Sequence, residues 1–91
     1  MLSAKALDEF SVEVVFSERL QLSSALMANN YNIGNLGSPN SVTITSTPNV
    51  YKLTFASALP NGENKLTVNN LSDLAGNPIA QNSLASFFYL N

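Results

Sequence analysis

The sequence predicts an all-β fold, an antiparallel β-sandwich of about seven strands with one short helical turn near residues 23–28. Three observations lead there. Apolar and polar side chains alternate at period two in run after run, as half-buried strands require. Turn signals built from Asn, Gly, Pro and Asp recur about every ten residues. No segment carries a helical period long enough for an independent helix. A closed barrel of comparable size is the rival architecture.

Residues 2–7 read as a weak first strand, with Asp8 and Glu9 forming the turn after it. The next run places Phe10, Val12, Val14 and Phe16 on one face and Ser11 and Glu13 on the other. Ser23 and Ser24 are N-cap candidates for a helix of one or two turns, ended by Asn29 and Asn30 in the left-handed region. Residues 42–45 and 51–55 alternate as strands do, separated by Thr47, Pro48 and Asn49. A strand at 65–68 follows the turn Leu59, Pro60, Asn61, Gly62, where Asn-Gly favours positive φ. Leu71 and Leu74 belong to a tight turn in which Gly76 supplies positive φ, and at i, i+3 they are placed to plug the end of a core. The last strand, 86–90, has Phe87 and Tyr89 on one side and Phe88 and Leu90 on the other. Two apolar faces predict a strand covered on both sides or packed against a neighbouring domain.

The expected core is Phe10, Val12, Val14, Phe16, Leu20, Leu26, Tyr31, Ile33, Val42, Ile44, Leu53, Phe55, Leu59, Leu66, Val68, Leu71, Leu74 and Phe87. At about 1.5–3 kcal/mol for each large side chain fully buried, these offset most of the ordering entropy without a disulfide.

Composition narrows the function classes. Ninety-one residues make one domain, and the chain reads as a single domain, 1–91, taken from a larger protein. The start lacks the apolar stretch of a signal peptide, and no apolar run approaches the ~20 residues of a membrane span. Thirteen Asn, twelve Ser and five Thr carry the solubility, because charged residues are only 11%. With no His and no Cys there is no imidazole base, no thiol nucleophile and no zinc site of the usual ligands. A net charge of −2 on four basic residues argues against a nucleic-acid or anionic-membrane partner.

Three segments, in order, carry a family resemblance: Val12-Glu13-Val14-Val15-Phe16-Ser17-Glu18, then Asn30-Tyr31-Asn32-Ile33, then the run from Leu66 to Asn77 containing Asp73, Ala75 and Gly76. Together they resemble the bacterial Ig-like domain of the S-layer protein type, a repeated module of secreted and surface-anchored proteins. The likeness spans nearly the whole chain. It departs in the short polar stretch 34–46 and in the unusually aromatic last strand. The resemblance implies a seven-stranded Ig-like sandwich acting as a spacer, scaffold or module beside a functional domain, outside the cell or on its surface. It implies no shared active site.

No residue is expected to be catalytic, to bind a cofactor or to hold a metal. Glycoside hydrolysis needs two carboxylates about 5–10 Å apart, yet Asp8 and Glu9 are adjacent on a turn and Glu13 points outward. Asp73, Asn77 and Asn69 or Asn70 offer oxygens around a glycine turn, but calcium takes six to eight, usually with several carboxylates. Asp73 and Asn77 are expected to bond their own turn backbone instead, and Glu18 a neighbouring N–H. Tyr31, Tyr51 and Tyr89 could build a sugar-stacking platform; alternation places them in the core or at its rim. Asn70-Leu71-Ser72 matches a glycosylation acceptor only formally. The expected partners are neighbouring domains, with self-association through the C-terminal strand as a further possibility. A module binding carbohydrate or a protein partner is the alternative function, and an enzyme fragment requires two carboxylates in one concave pocket.

Overall fold

Two antiparallel sheets form the molecule, and the chain crosses between them after β2, β3 and β5. The computed structural model describes residues 2–17, 19–34, 36–47, 49–79 and 83–90; Glu18 and Pro48 of the reading above lie outside them. The strands are β1 (Leu2–Asp8), β2 (Ser11–Phe16), β3 (Tyr31–Ile33), β4 (Ser41–Ile44), β5 (Val50–Thr54), β6 (Gly62–Val68) and β7 (Ser83–Tyr89). The first sheet has the order β1-β2-β5-β4 and the second β3-β6-β7. A four-residue helix α1 (Leu22–Ala25) and a 3₁₀ turn (Ala28–Asn30) lie between β2 and β3. This is the expected all-β sandwich, and β1 of one sheet runs alongside β7 of the other.

The core between the sheets is built by the inward positions of the alternating runs. Val12 and Val14 of β2, Tyr51 and Leu53 of β5, and Leu66 and Val68 of β6 are fully buried. Phe16 meets Tyr51 edge to face with ring centroids 5.9 Å apart, a favoured aromatic geometry. Leu20, Leu59 and Leu71 close the two ends. Asn64 is buried in the middle strand and donates to the carbonyls of Pro60 (3.1 Å) and Gly62 (3.3 Å). Among the described residues no buried side-chain nitrogen or oxygen lacks a partner, as a stable core demands.

Four expected core residues are exposed, each for a geometric reason. A bulge between Ala6 and Asp8 shifts the β1–β2 register, so Phe10 falls into the turn and is exposed, its N–H donating to Asp8 Oδ1 at 2.8 Å. Ser11, expected to face outward, is buried. Phe55 and Leu59 fill that corner, held by Phe55 N–H to Phe10 O and Leu59 N–H to Glu9 O. Ile44 is 62% exposed. With β1 beside β7 and four strands facing three, β4 is the strand left over at the far edge. Leu26 ends α1 and Ala25 takes the buried position. Leu74 sits at a loop tip, 59% exposed, while Leu71 alone plugs the core.

The short helix is anchored differently from the expectation. Gln21, not Ser23 or Ser24, is its N-cap, and no side chain caps it. Ser24 Oγ donates to Gln21 O and accepts the Ser72 N–H, tying α1 to the loop before β7. Asn29 and Asn30 are in the 3₁₀ turn rather than in the left-handed region. Asn30 Nδ2 donates to Ser24 O (2.8 Å) and Tyr31 Oη to Ala25 O (2.6 Å), satisfying carbonyls that a helix end otherwise leaves open.

Strand directions place the ends of the molecule. β1 and β5 run one way and β2 the other; the loop 55–61 crosses to β6, which runs back, and β7 returns. The start of β1 therefore lies at one pole, with the end of β2, α1, the β4–β5 turn and loop 69–79. The end of β7 lies at the other, with the β1–β2 turn and loop 55–61. We call these the proximal and distal poles. The molecule measures 39 × 26 × 20 Å; seven-residue strands span about 24 Å, and the loops at the two poles supply the rest of its length.

Candidate functional site

The residue types that could do chemistry are mostly spent on the fold. Asp73 Oδ1 accepts the Asn77 N–H at 2.9 Å, and Asp73 N–H donates to Asn77 O at 3.0 Å. The pair is brought together as expected, with the carboxylate closing its own turn. Gly76 has φ +90° within that turn, and Gly62 has φ +102° in the Asn-Gly turn. Asn69 donates its N–H to Asn30 O, and Asn70 has φ +59°. Glu13 pairs with Lys5 at 3.7 Å on the outer face, a solvent-screened contact of little weight. Among the described residues no three Asp or Glu side chains converge.

Tyr31 and Tyr51 are buried, and Tyr89 packs partly against the core, so the three do not form an exposed stacking platform. Burial, reinforced by Tyr51 close by, pushes the Tyr31 phenol well above the ordinary tyrosine range. The folded state thus holds this proton more tightly than the unfolded chain, whose tyrosines ionise near ~10. Stability from Tyr31 is complete below about pH 10 and falls as pH rises beyond it. Tyr31→Phe removes this alkaline loss and leaves Ala25 O without its donor, at about 1–2 kcal/mol in neutral solution. Urea midpoints at pH 7 and pH 11 check both: the deficit of the variant should shrink at the higher pH.

What sequence reasoning missed is a groove at the proximal pole. Leu22, Ile44 and Leu74, all half or more exposed, line it with Arg19, Thr45 and Thr47, enclosing about 250 Å³. Buried Leu20 forms its floor, and of the three exposed leucine or isoleucine walls Ile44 and Leu74 were expected in the core. A second, open groove of about 340 Å³ crosses the outer face of β3 and β6 and includes Asn32, Glu63, Lys65 and Thr67. It holds one carboxylate and no aromatic ring. The proximal groove is thus walled mainly by aliphatic side chains, and the second by polar side chains with Ile33 and Leu84.

No protein-family model matches the sequence, and no curated protein matches it. Solved structures do. The chain is similar to the N-terminal part of the bacterial S-layer protein SbsC, at TM-score 0.83 and 25% identity over 96% of this chain and 22% of that one. It matches the S-layer protein rSbsC(31-844) with TM-score 0.83 and domains 1–6 of SbsC with TM-score 0.82, each at 25% identity over 96% of this chain and 13% of the other. The chain therefore spans less than a quarter of the length of these proteins, and corresponds in fold to one S-layer-type module of them.

Proposed function

We propose that this chain is a non-catalytic, Ig-like structural or spacer module of a multidomain bacterial protein that is secreted or held at the cell surface. The observation that supports it most is the likeness to SbsC over 96% of the chain. Residues of the second and third motif segments support it too: Asn30, Tyr31, Asp73 and Asn77 all hydrogen-bond within the fold. A spacer needs its connections at opposite ends, and the start of β1 and the end of β7 lie at opposite poles. The alternative, a module binding carbohydrate, loses support from the inward tyrosines; binding of a protein partner is favoured by the apolar poles.

Protease treatment of intact cells of the bacterium that makes the protein tests the location. Peptides from this chain should be released with those of known surface proteins, and their release only after lysis overturns the reading. For metals, the expected result is a melting temperature unchanged by millimolar calcium, because Asp73 is the single carboxylate in its loop and is already bonded. A saturable rise, as mass action on a real site produces, overturns that part.

A further inference from the structure

Seven of the large apolar side chains that this fold leaves exposed lie at or toward its two poles. Leu7, Phe10, Phe88 (70% exposed) and Leu90 (78%) lie at or near the distal pole, and Leu22, Ile44 and Leu74 at the proximal one. The middle of the first sheet's outer face is polar, and on the outer face of the second sheet Leu84, 60% exposed, stands opposite Thr67. Lys5, Glu13, Lys52 and Thr43 stand in one cross-strand row on the first sheet, and Lys65 faces Ser86 on the second. The charged row of the first sheet disfavours side-by-side packing through that face, while clustered apolar side chains mark where a partner sits.

We propose that the proximal groove of Leu22, Ile44 and Leu74 receives the distal pole of a second copy of this chain, with Phe88 and Leu90 entering it, so that copies join head to tail. This rests on reading the chain as a structural module. Charge selects the occupant. Three of the six acids, Asp8, Glu9 and Glu63, lie at the distal pole, and Glu63 is directly cross-strand from Phe88. Arg19 lines the groove and makes no ion pair among the described residues. The other three cations, Lys5, Lys52 and Lys65, are in the middle of strands. Among the described residues one acid, Asp73 beside Leu74, shares the proximal pole with Arg19, and its carboxylate accepts the Asn77 N–H. A distal pole brought to a proximal pole therefore offers Glu63 a cation in Arg19, whereas two distal poles set three acids against three with no cation between them. The two surfaces differ, so the contact is heterologous, and because they lie at opposite poles it is not completed by two copies.

Its size sets its strength. An end face of 26 × 20 Å amounts to about 400 Å² per partner, about half of what a standard stable interface buries. Free copies should associate only weakly, and copies held in one chain should gain from effective concentration.

Sedimentation equilibrium of the 91-residue chain up to millimolar concentration tests this. The average mass should rise without levelling at two copies. Ile44→Asp and Phe88→Ser each remove one of the two surfaces at an exposed position, so each variant should remain monomeric. An equimolar mixture should form a pair of one copy each and grow no further. Arg19→Glu and Glu63→Lys should each weaken association at least several-fold, and mixing these two should restore it. A monomeric wild type at all concentrations, a mass that stops at two copies, or association untouched by Ile44→Asp and Phe88→Ser overturns the proposal. Failure here leaves the surface location of the protein standing, and failure of the cell-surface test leaves this contact standing.

Discussion

Leu66→Ala is expected to lower the free energy of unfolding by about 2–4 kcal/mol, the cost of removing a buried leucine and leaving a partly unfilled cavity. Leu66 is fully buried in β6, the central strand of the three-stranded sheet, flanked by Ile33 of β3 and Ala85 of β7. Ala85 is small, so the neighbours cannot collapse far into the space. Domains of this size hold only about 5–15 kcal/mol in total, and each 1 kcal/mol moves the melting temperature by about 4–8 °C. The matched control is Ile44→Ala on the overhanging edge strand, where the change should stay within about 0.5 kcal/mol, as for most surface positions. Urea denaturation of both variants measures the contrast. Equal midpoints would mean that the two faces have been assigned wrongly.

That contrast also shows where alternation is a sufficient guide and where it is not. In β2, β5 and β6 both neighbours are paired and a second sheet lies opposite, so period two alone places Val12, Val14, Leu53, Leu66 and Val68 correctly. In β4 the same alternation is present at Val42 and Ile44, but whether a sheet faces the strand depends on the number of strands across the sandwich. No local pattern encodes that number. At Phe10 the period is intact and the bulge after Ala6 breaks its meaning. The helix was legible in existence and not in its cap, because Ser24 is claimed by Ser72, 48 residues away.

The candidate site divides in the same way. The Asp73–Asn77 turn is local, so its spacing announces its hydrogen bonds. The proximal groove joins Leu22, Ile44 and Leu74 from three loops or edges, and each residue alone looks like ordinary core. Their shared exposure follows from topology, with the edge strand, the helix and the loop tip at one pole. A sequence reader's one available signal is that α1 is too short, and the 71–77 turn too tight, to bury every apolar residue they carry.

Gly76→Val is the substitution through which the loop and the groove can be tested together, with an expected cost of about 1–3 kcal/mol. The cost lies in the backbone. A Cβ at Gly76 would meet only Gln21 Nε2, at an ordinary 3.8 Å, so space is not the obstacle. At φ +90° an L side chain is strained, and a β-branched one most of all. Relieving the strain means rotating the turn, which stretches Gly76 N–H to Asp73 O (3.0 Å) and Asn77 N–H to Asp73 Oδ1 (2.9 Å). The loop also holds Leu71, buried at the core's end, through Ile79 N–H to Leu71 O, so part of the strain reaches the fold. Gly34→Val is the control: its φ is not positive and nothing lies within 4 Å of its Cβ position, so its midpoint should stay near wild type. Amide exchange should quicken at Asn77 and Ile79 in Gly76→Val while the amides of β2, β5 and β6 keep their protection, since local opening costs less than global unfolding. Equal denaturation midpoints for the two glycine variants would remove the backbone argument. Because Leu74 rides on this loop, Gly76→Val should also disturb the groove wall, and weaken head-to-tail association without touching Ile44 or Phe88.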